Sequence, residues 1–212
     1  MQDLSKYQHP RFARMYERMS VQADRSMAEL RGRLLAGLSG RVVEVGAGNG
    51  LNFPHYPAAV TEVVAVEPDH LLRAAAERAT ATAPVRVVVV PGHADSLPYE
   101  EDAFDAVVMS LVLCSVPDQQ VTLMEARRVL RPGGELRFFE HVRSPSPVRG
   151  SLQDLITPLW RRLAGGCHPN RETATAIGAG GLVIEEHERF IHQPMGGSPR
   201  LTHILGRARN VA

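Results

Sequence analysis

Lysine is almost missing from this chain. Lys6 is the one lysine among 24 basic residues, and the rest are arginine. Arginine is the better planar binder of phosphate and carboxylate. Here, however, no cluster exceeds two in a row, so the bias reads as composition and not as an anion-binding face. Net charge is also slight, +1, which excludes a global field drawing the chain to nucleic acid or to an anionic membrane. Cysteine is scarce. Cys114 and Cys167 lack a C-x-x-C spacing or a ligand-like histidine pattern, so no metal is expected, nor a disulfide in a chain with so large a core. No apolar run approaches the ~20 residues that span a bilayer. The first twenty residues are charged throughout, unlike a signal peptide. The expectation is a cytoplasmic protein without a membrane span, its oligomeric state open.

The residues present are enough for one ordinary domain: 212 residues, 44% hydrophobic and 22% charged. Phe12, Met15, Tyr16 and Met19 recur at helical spacing, predicting a helix over 10–38. Short apolar strands come next at 41–46, 63–67, 85–90, 104–113 and 135–141. Pro68-Asp69 opens a helix whose Leu71, Leu72, Ala75, Ala76 and Ala79 face inward. A helix over 118–130 stops at the turn Arg131-Pro132-Gly133-Gly134. A helix over 171–179 and strands over 182–191 and 201–208 complete the chain. Strands apolar on both faces, alternating with helices, predict a doubly wound α/β sheet of mostly parallel strands. The boundaries expected are an N-terminal helical cap over 1–38, a core over 39–142, an irregular insertion or lid over 143–170, and a C-terminal helix and strands over 171–212. The proline-rich stretch 145–170 reads as a long loop over the sheet edge.

The strongest local signal is Glu44-Val45-Gly46-Ala47-Gly48-Asn49-Gly50, at the end of the first strand. Glycines there allow a tight turn and a close backbone approach to a ligand. Glu67 ends the second strand 21 residues after Gly46, where a carboxylate accepts both hydroxyls of a ribose. A dinucleotide fingerprint, G-x-G-x-x-G, fails by one residue because Leu51 holds the third glycine position. The run instead matches in full the E/D-x-G-x-G-x-G pattern of S-adenosylmethionine enzymes. Its acidic first position suits a cofactor that carries an ammonium and no pyrophosphate.

Residues 41–141 resemble a class I methyltransferase of the small-molecule type, through GRVVEVGAGNG, VVAVEP, GHADSLP, FDAVV and RVLRPGGEL. The resemblance implies a Rossmann-like, seven-stranded sheet with an antiparallel last strand, and S-adenosylmethionine as cofactor. It implies cofactor contacts from Glu44, Gly46, Ala47, Gly48 and Asn52 at the glycine turn, and from Glu67 and Pro68 after the second strand. It adds His93, Ala94 and Asp95 around the adenine, and Ser110 and Leu111 at the fourth strand's end. His93 stands where many relatives carry an acidic residue. A narrower set of motifs, SLVLCSV, EHV, GC with RET, and HI with Gly206, is similar to the methyltransferase-like alkyl thiol methyltransferases of animals. Those relatives carry a hydrophobic N-terminal anchor that this sequence does not show.

Methyl transfer from a sulfonium is an in-line displacement in which alignment and exclusion of water matter most. His141, at the end of the fifth strand, is the candidate base or orienting group. Glu140 points to the opposite face and is a poor partner for it. Phe12, Tyr16, Leu113 and Trp160 are the candidate acceptor pocket, with the N-terminal helix and the insertion closing as a lid. The reading is a methyltransferase for a small, apolar acceptor, a thiol being the narrowest choice. An amine, a phenol or a quinone precursor is the alternative acceptor. The rival classes are a nicotinamide-dependent dehydrogenase and an inactive cofactor-binding subunit.

Overall fold

The computed structural model describes residues 3–211. Seven strands form one sheet: β1 (Gly40–Val45), β2 (Val60–Val66), β3 (Val87–Val90), β4 (Phe104–Ser110), β5 (Leu130–His141), β6 (Leu182–His192) and β7 (Leu201–Asn210). Their order is β3-β2-β1-β4-β5-β7-β6, with β7 alone antiparallel to its neighbours. Val42, Val43 and Val45 of β1 are all fully or almost fully buried, because helices cover both faces of a parallel strand. The core accordingly divides into two apolar clusters, one on each side of the sheet.

Helix α1 (Pro10–Leu35) packs its Ala23, Met27, Leu30 and Leu34 against one of these clusters. The stripe that suggested the helix does something else: Met15 and Met19 remain more than 40% exposed and, with Phe12 and Tyr16, border a cavity. Helices α2 (His70–Ala79) and α3 (Gln119–Val129) each begin on an aspartate. Asp69 accepts from the N–H groups of Leu71 and Leu72, and Asp118 from those of Gln120 and Val121, satisfying donors that a helix start leaves open. On α2, Leu72, Ala75 and Ala76 are buried, whereas Leu71 and Ala79 are only partly so.

The structure corrects three expectations. Strand β4 stops at Ser110, three residues early, because Leu111 turns into the left-handed region at φ 61°. The four residues Arg131–Gly134 form a bulge inside β5: Phe104 pairs with Leu130 and Ala106 with Glu135. The stretch 145–170 is mostly helical, with α4 spanning Pro147–Leu163. Pro147 occupies the first helical position, where its missing N–H costs nothing, and Pro158 interrupts the hydrogen-bond ladder within the helix. A short α5 (Thr173–Ala179) precedes β6. Among the described residues, no helix is long and apolar enough to cross a membrane.

Candidate active site

The carboxyl ends of β1, β2, β4 and β5 face a single large cavity of about 870 Å³. Open α/β sheets bind ligands at this edge, and the volume is at the upper end for small-molecule sites. The glycine turn makes one wall. Gly46 has φ 68°, and a Cβ there would lie 2.7 Å from Val112, so neither the conformation nor the space admits a side chain. The Gly48 N–H donates to Glu67 Oε2 at 2.8 Å, and the Asp69 N–H donates to Oε1 at 2.9 Å. Burial pushes Glu67 up to about 7, against the lowering effect of those two bonds.

Glu44 lies below the turn. Its carboxylate accepts from Asn52 Nδ2 and from the Tyr56 hydroxyl, each at 2.8 Å. Burial raises it to about 7 as well, while these bonds pull the other way. Glu44, Ala47 and Asn52 border a side chamber of about 20 Å³. Tyr16, Arg31, Gly46 and Ser110 line both this chamber and the large cavity, so the two adjoin. Arg31 donates to Asn52 Oδ1 at 3.2 Å. It is a nearly buried cation on α1, with its Nε 3.4 Å from Asp24 Oδ1, and no motif in the sequence marks it.

Next along the cavity come Pro68, His93, Ala94 and Asp95. The N-terminal segment folds onto them. Tyr7 stacks on His93 with ring centroids 5.1 Å apart, and its hydroxyl donates to Asp95 Oδ2 at 3.2 Å. Gln8 Nε2 donates to the Pro68 carbonyl at 2.8 Å. Asp95 also accepts from the Thr122 hydroxyl. Residues 5–9 therefore cover this end of the cavity.

The opposite end is built on the β4 and β5 termini. Glu140 is fully buried and accepts from the backbone N–H groups of Val112, Leu113 and Cys114 at 2.9–3.0 Å. Burial holds its pKa well above the usual carboxylate range. Its carboxylate thus organises the turn after β4 and, as the strand alternation required, does not serve His141. Arg171 Nη1 donates to the Leu113 carbonyl at 2.6 Å and fixes the same turn from outside. Leu113 itself is wholly buried in the core and does not line the cavity; that pocket assignment is corrected. Phe12, Tyr16 and Trp160 do line it, as do Ser110 and Leu111.

His141 projects into this end, 4.5 Å from the His203 ring by centroid. His203 stacks on both Phe139 and Phe190, which also stack on each other, and burial depresses it to about 3, so it stays neutral. The Nδ1 atom of His141 lies 3.6 Å from Cys114 Sγ and 3.4 Å from Cys167 Sγ, and the sulfurs are 3.7 Å apart. The loop carrying Cys167 is held by the His168 N–H, which donates to the Cys114 carbonyl at 2.6 Å. Gly165, at φ 58°, lets this loop press against Phe12; a Cβ would sit 2.5 Å from the ring. Contact with Cys167 and burial push the Cys114 thiol up, whereas Cys114 and then the Trp160 indole favour the Cys167 thiolate. Trp160 Nε1 is buried without a conventional hydrogen-bond partner. This convergence of two thiols and an imidazole was not expected.

Residues 43–138 match the family described as a methyltransferase domain. The human thiol S-methyltransferase TMT1B is 36% identical over 182 residues, covering 82% of this chain and 73% of the relative. This chain belongs to the S-adenosylmethionine-dependent class I methyltransferases. The rat TMT1B is 34% identical to this methyltransferase over 204 residues, or 92% of this chain and 81% of that protein. In structure, the methyltransferase resembles an S-adenosylmethionine-dependent methyltransferase of Thermotoga maritima at a TM-score of 0.69 and 21% identity, covering 94% and 96% of the two chains. That likeness bears on the fold alone. The cofactor is S-adenosylmethionine, and the methyltransferase is an enzyme.

Proposed function

We propose that this enzyme transfers a methyl group to the sulfur of a small apolar thiol. The observation that carries this reading is the cavity itself. It is walled by Phe12, Met15, Met19, Trp160 and Leu163, and closed at one end by His141 and two cysteines. Such walls desolvate an alkyl chain, while the polar end receives a reacting atom. The similarity to thiol S-methyltransferases supports the same choice.

Glu67 accepts the ribose hydroxyls, and His93, Ala94 and Asp95 with Pro68 border the adenine. The methionine tail lies in the large cavity along Gly46 and Gly48, where it adjoins the side chamber bordered by Ala47 and the carboxylate of Glu44. Arg31 and Asn52 there offer a cation and an amide to the tail's carboxylate. Ser110 and Leu111 pass beneath the sulfonium, which directs the methyl toward His141. His141 is the polar group at the acceptor end. A thiol with pKa near ~8.5 is partly ionised at neutral pH, so orientation matters more than proton removal. The two cysteines, both free and buried, support a cytoplasmic location, which microscopy of the tagged protein checks.

The test is an acceptor panel with labelled S-adenosylmethionine: alkyl thiols, phenols, primary amines and a quinol. Methyl thioether formation is expected from the thiols. Turnover of a phenol or an amine without any thiol turnover overturns the acceptor class and leaves the cofactor standing.

A further inference from the structure

The geometry points to a metal site: we propose that Cys114, Cys167 and His141 bind one thiophilic divalent cation of the zinc class, whose open position faces the cavity. A catalytic role for that cation rests on the thiol reading; the metal site does not.

The three ligand atoms belong to segments far apart in sequence, the turn after β4, the end of β5 and the loop after α4. They nevertheless converge within 3.4–3.7 Å. A tetrahedral zinc site with Zn–S of about 2.3 Å and Zn–N of about 2.0–2.1 Å has S···S edges of about 3.8 Å and S···N edges of about 3.6 Å. The observed triangle, with edges of 3.7, 3.6 and 3.4 Å, has the shape of one face of that tetrahedron. Cys₂His is also a donor set of catalytic zinc, in which the fourth position is left to water or substrate. All three residues border the cavity, so that fourth position opens onto the acceptor chamber.

The surroundings hold the ligands in place. Glu140 and Arg171 fix the turn that carries Cys114. The His168 N–H ties the Cys167 loop to the Cys114 carbonyl. Two thiolates would neutralise a divalent cation, so the loaded site is uncharged in a low-dielectric chamber. The His141 Nδ1 is turned toward the two sulfurs, as a ligand of a shared cation would be.

With a thiol acceptor the chemistry balances. The acceptor sulfur takes the open position as a thiolate and its proton leaves to solvent. A sulfur lone pair forms the new C–S bond to the methyl carbon, and the carbon–sulfonium bond breaks. Its electrons pass to the cofactor's sulfur, leaving S-adenosylhomocysteine. The methyl thioether product is neutral and a weaker ligand, so it departs.

The test uses full-length protein kept reduced with a phosphine and titrated with Co²⁺, which reports tetrahedral thiolate ligation in its visible absorption. One equivalent should bind with the intense bands of a tetrahedral sulfur site, and zinc should displace it. Cys114→Ser, Cys167→Ser and His141→Ala should each weaken binding by more than the ~10–100-fold loss typical of an outer-shell partner. Calorimetric binding of S-adenosylhomocysteine by each variant verifies its fold. Adding an alkyl thiol should shift the cobalt bands. Absence of tetrahedral cobalt binding in protein whose two thiols are free overturns the site. Thiol methylation that survives complete metal removal also overturns the catalytic role, while the thiol reading stands. A cobalt site with no turnover of any thiol overturns the thiol reading and leaves the metal site intact.

Discussion

Gly48 and Glu67 are joined by a hydrogen bond of 2.8 Å from the glycine N–H to the carboxylate. The glycine turn and the end of β2 are therefore braced against each other before a cofactor arrives. Replacing Glu67 removes this brace together with the proposed ribose acceptor.

Glu67→Ala should weaken S-adenosylhomocysteine by roughly 1.5–3 kcal/mol, the range for hydrogen bonds to charged groups. Isothermal calorimetry measures it, with NAD as a control that should not bind. An unchanged affinity would assign the ribose hydroxyls to another acceptor.

Burial pushes Glu67 up to about 7, and in the proposed site the ribose hydroxyls donate to its ionised form. Cofactor product should therefore lower that pKa and release protons around that pH. Calorimetry in buffers of different ionisation enthalpy reads the release directly. Net proton uptake in this range would mean that the protonated carboxyl is the binding form.

Stability carries a second pH signature. Glu44 is raised from 4.5 to about 7 by burial, so the folded state holds its proton more tightly than the unfolded one. The associated stability is fully present below about pH 4.5 and is lost as pH rises through about 7. The scale is a few kcal/mol, since each pK unit is worth about 1.4 kcal/mol. Glu44→Gln should flatten the decline in denaturant midpoint across that window. An identical slope in the variant would remove Glu44 as its source.

The acceptor wall can be read by chain length. Phe12→Ala should raise KM more for long alkyl thiols than for short ones, because each buried CH₂ is worth about 0.8 kcal/mol. Gly165→Ala should act in the same direction by displacing the Phe12 ring, which its Cβ would meet at 2.5 Å. Equal effects on short and long thiols would place the chain elsewhere.

Cover and closure are a further expectation. Residues 5–16 and 160–167 border the cavity from outside the sheet, and both should gain hydrogen-exchange protection with S-adenosylhomocysteine. Unchanged protection in both would count against a lid.

Much of this was legible in the sequence. Alternating helices and apolar strands implied the doubly wound sheet, and the glycine turn and Glu67, singled out by spacing, lie along the large cavity. Helix α4 was not legible. Its prolines read as breakers, although Leu152, Leu155, Ile156, Leu159 and Leu163 recur at helical spacing; in the structure Leu152, Leu155 and Leu159 are exposed. Arg31 was invisible because the most regular apolar period of α1 belongs to residues that face the cavity and not the core. The meeting of Cys114, His141 and Cys167 was hidden for a different reason. Each lies at the end of a separate element, and only the sheet order and the loop after α4 bring them together.

Glu140 hangs three consecutive peptide groups from one carboxylate, and Cys114 is the third of them. His141 is the next residue along the same strand. The chamber floor is thus a single rigid fitting, whereas Phe12, Met15, Trp160 and Leu163 are side chains of α1 and α4, outside the sheet. A new acceptor can be accommodated by refurnishing these walls, without redesigning the floor on which the reaction takes place.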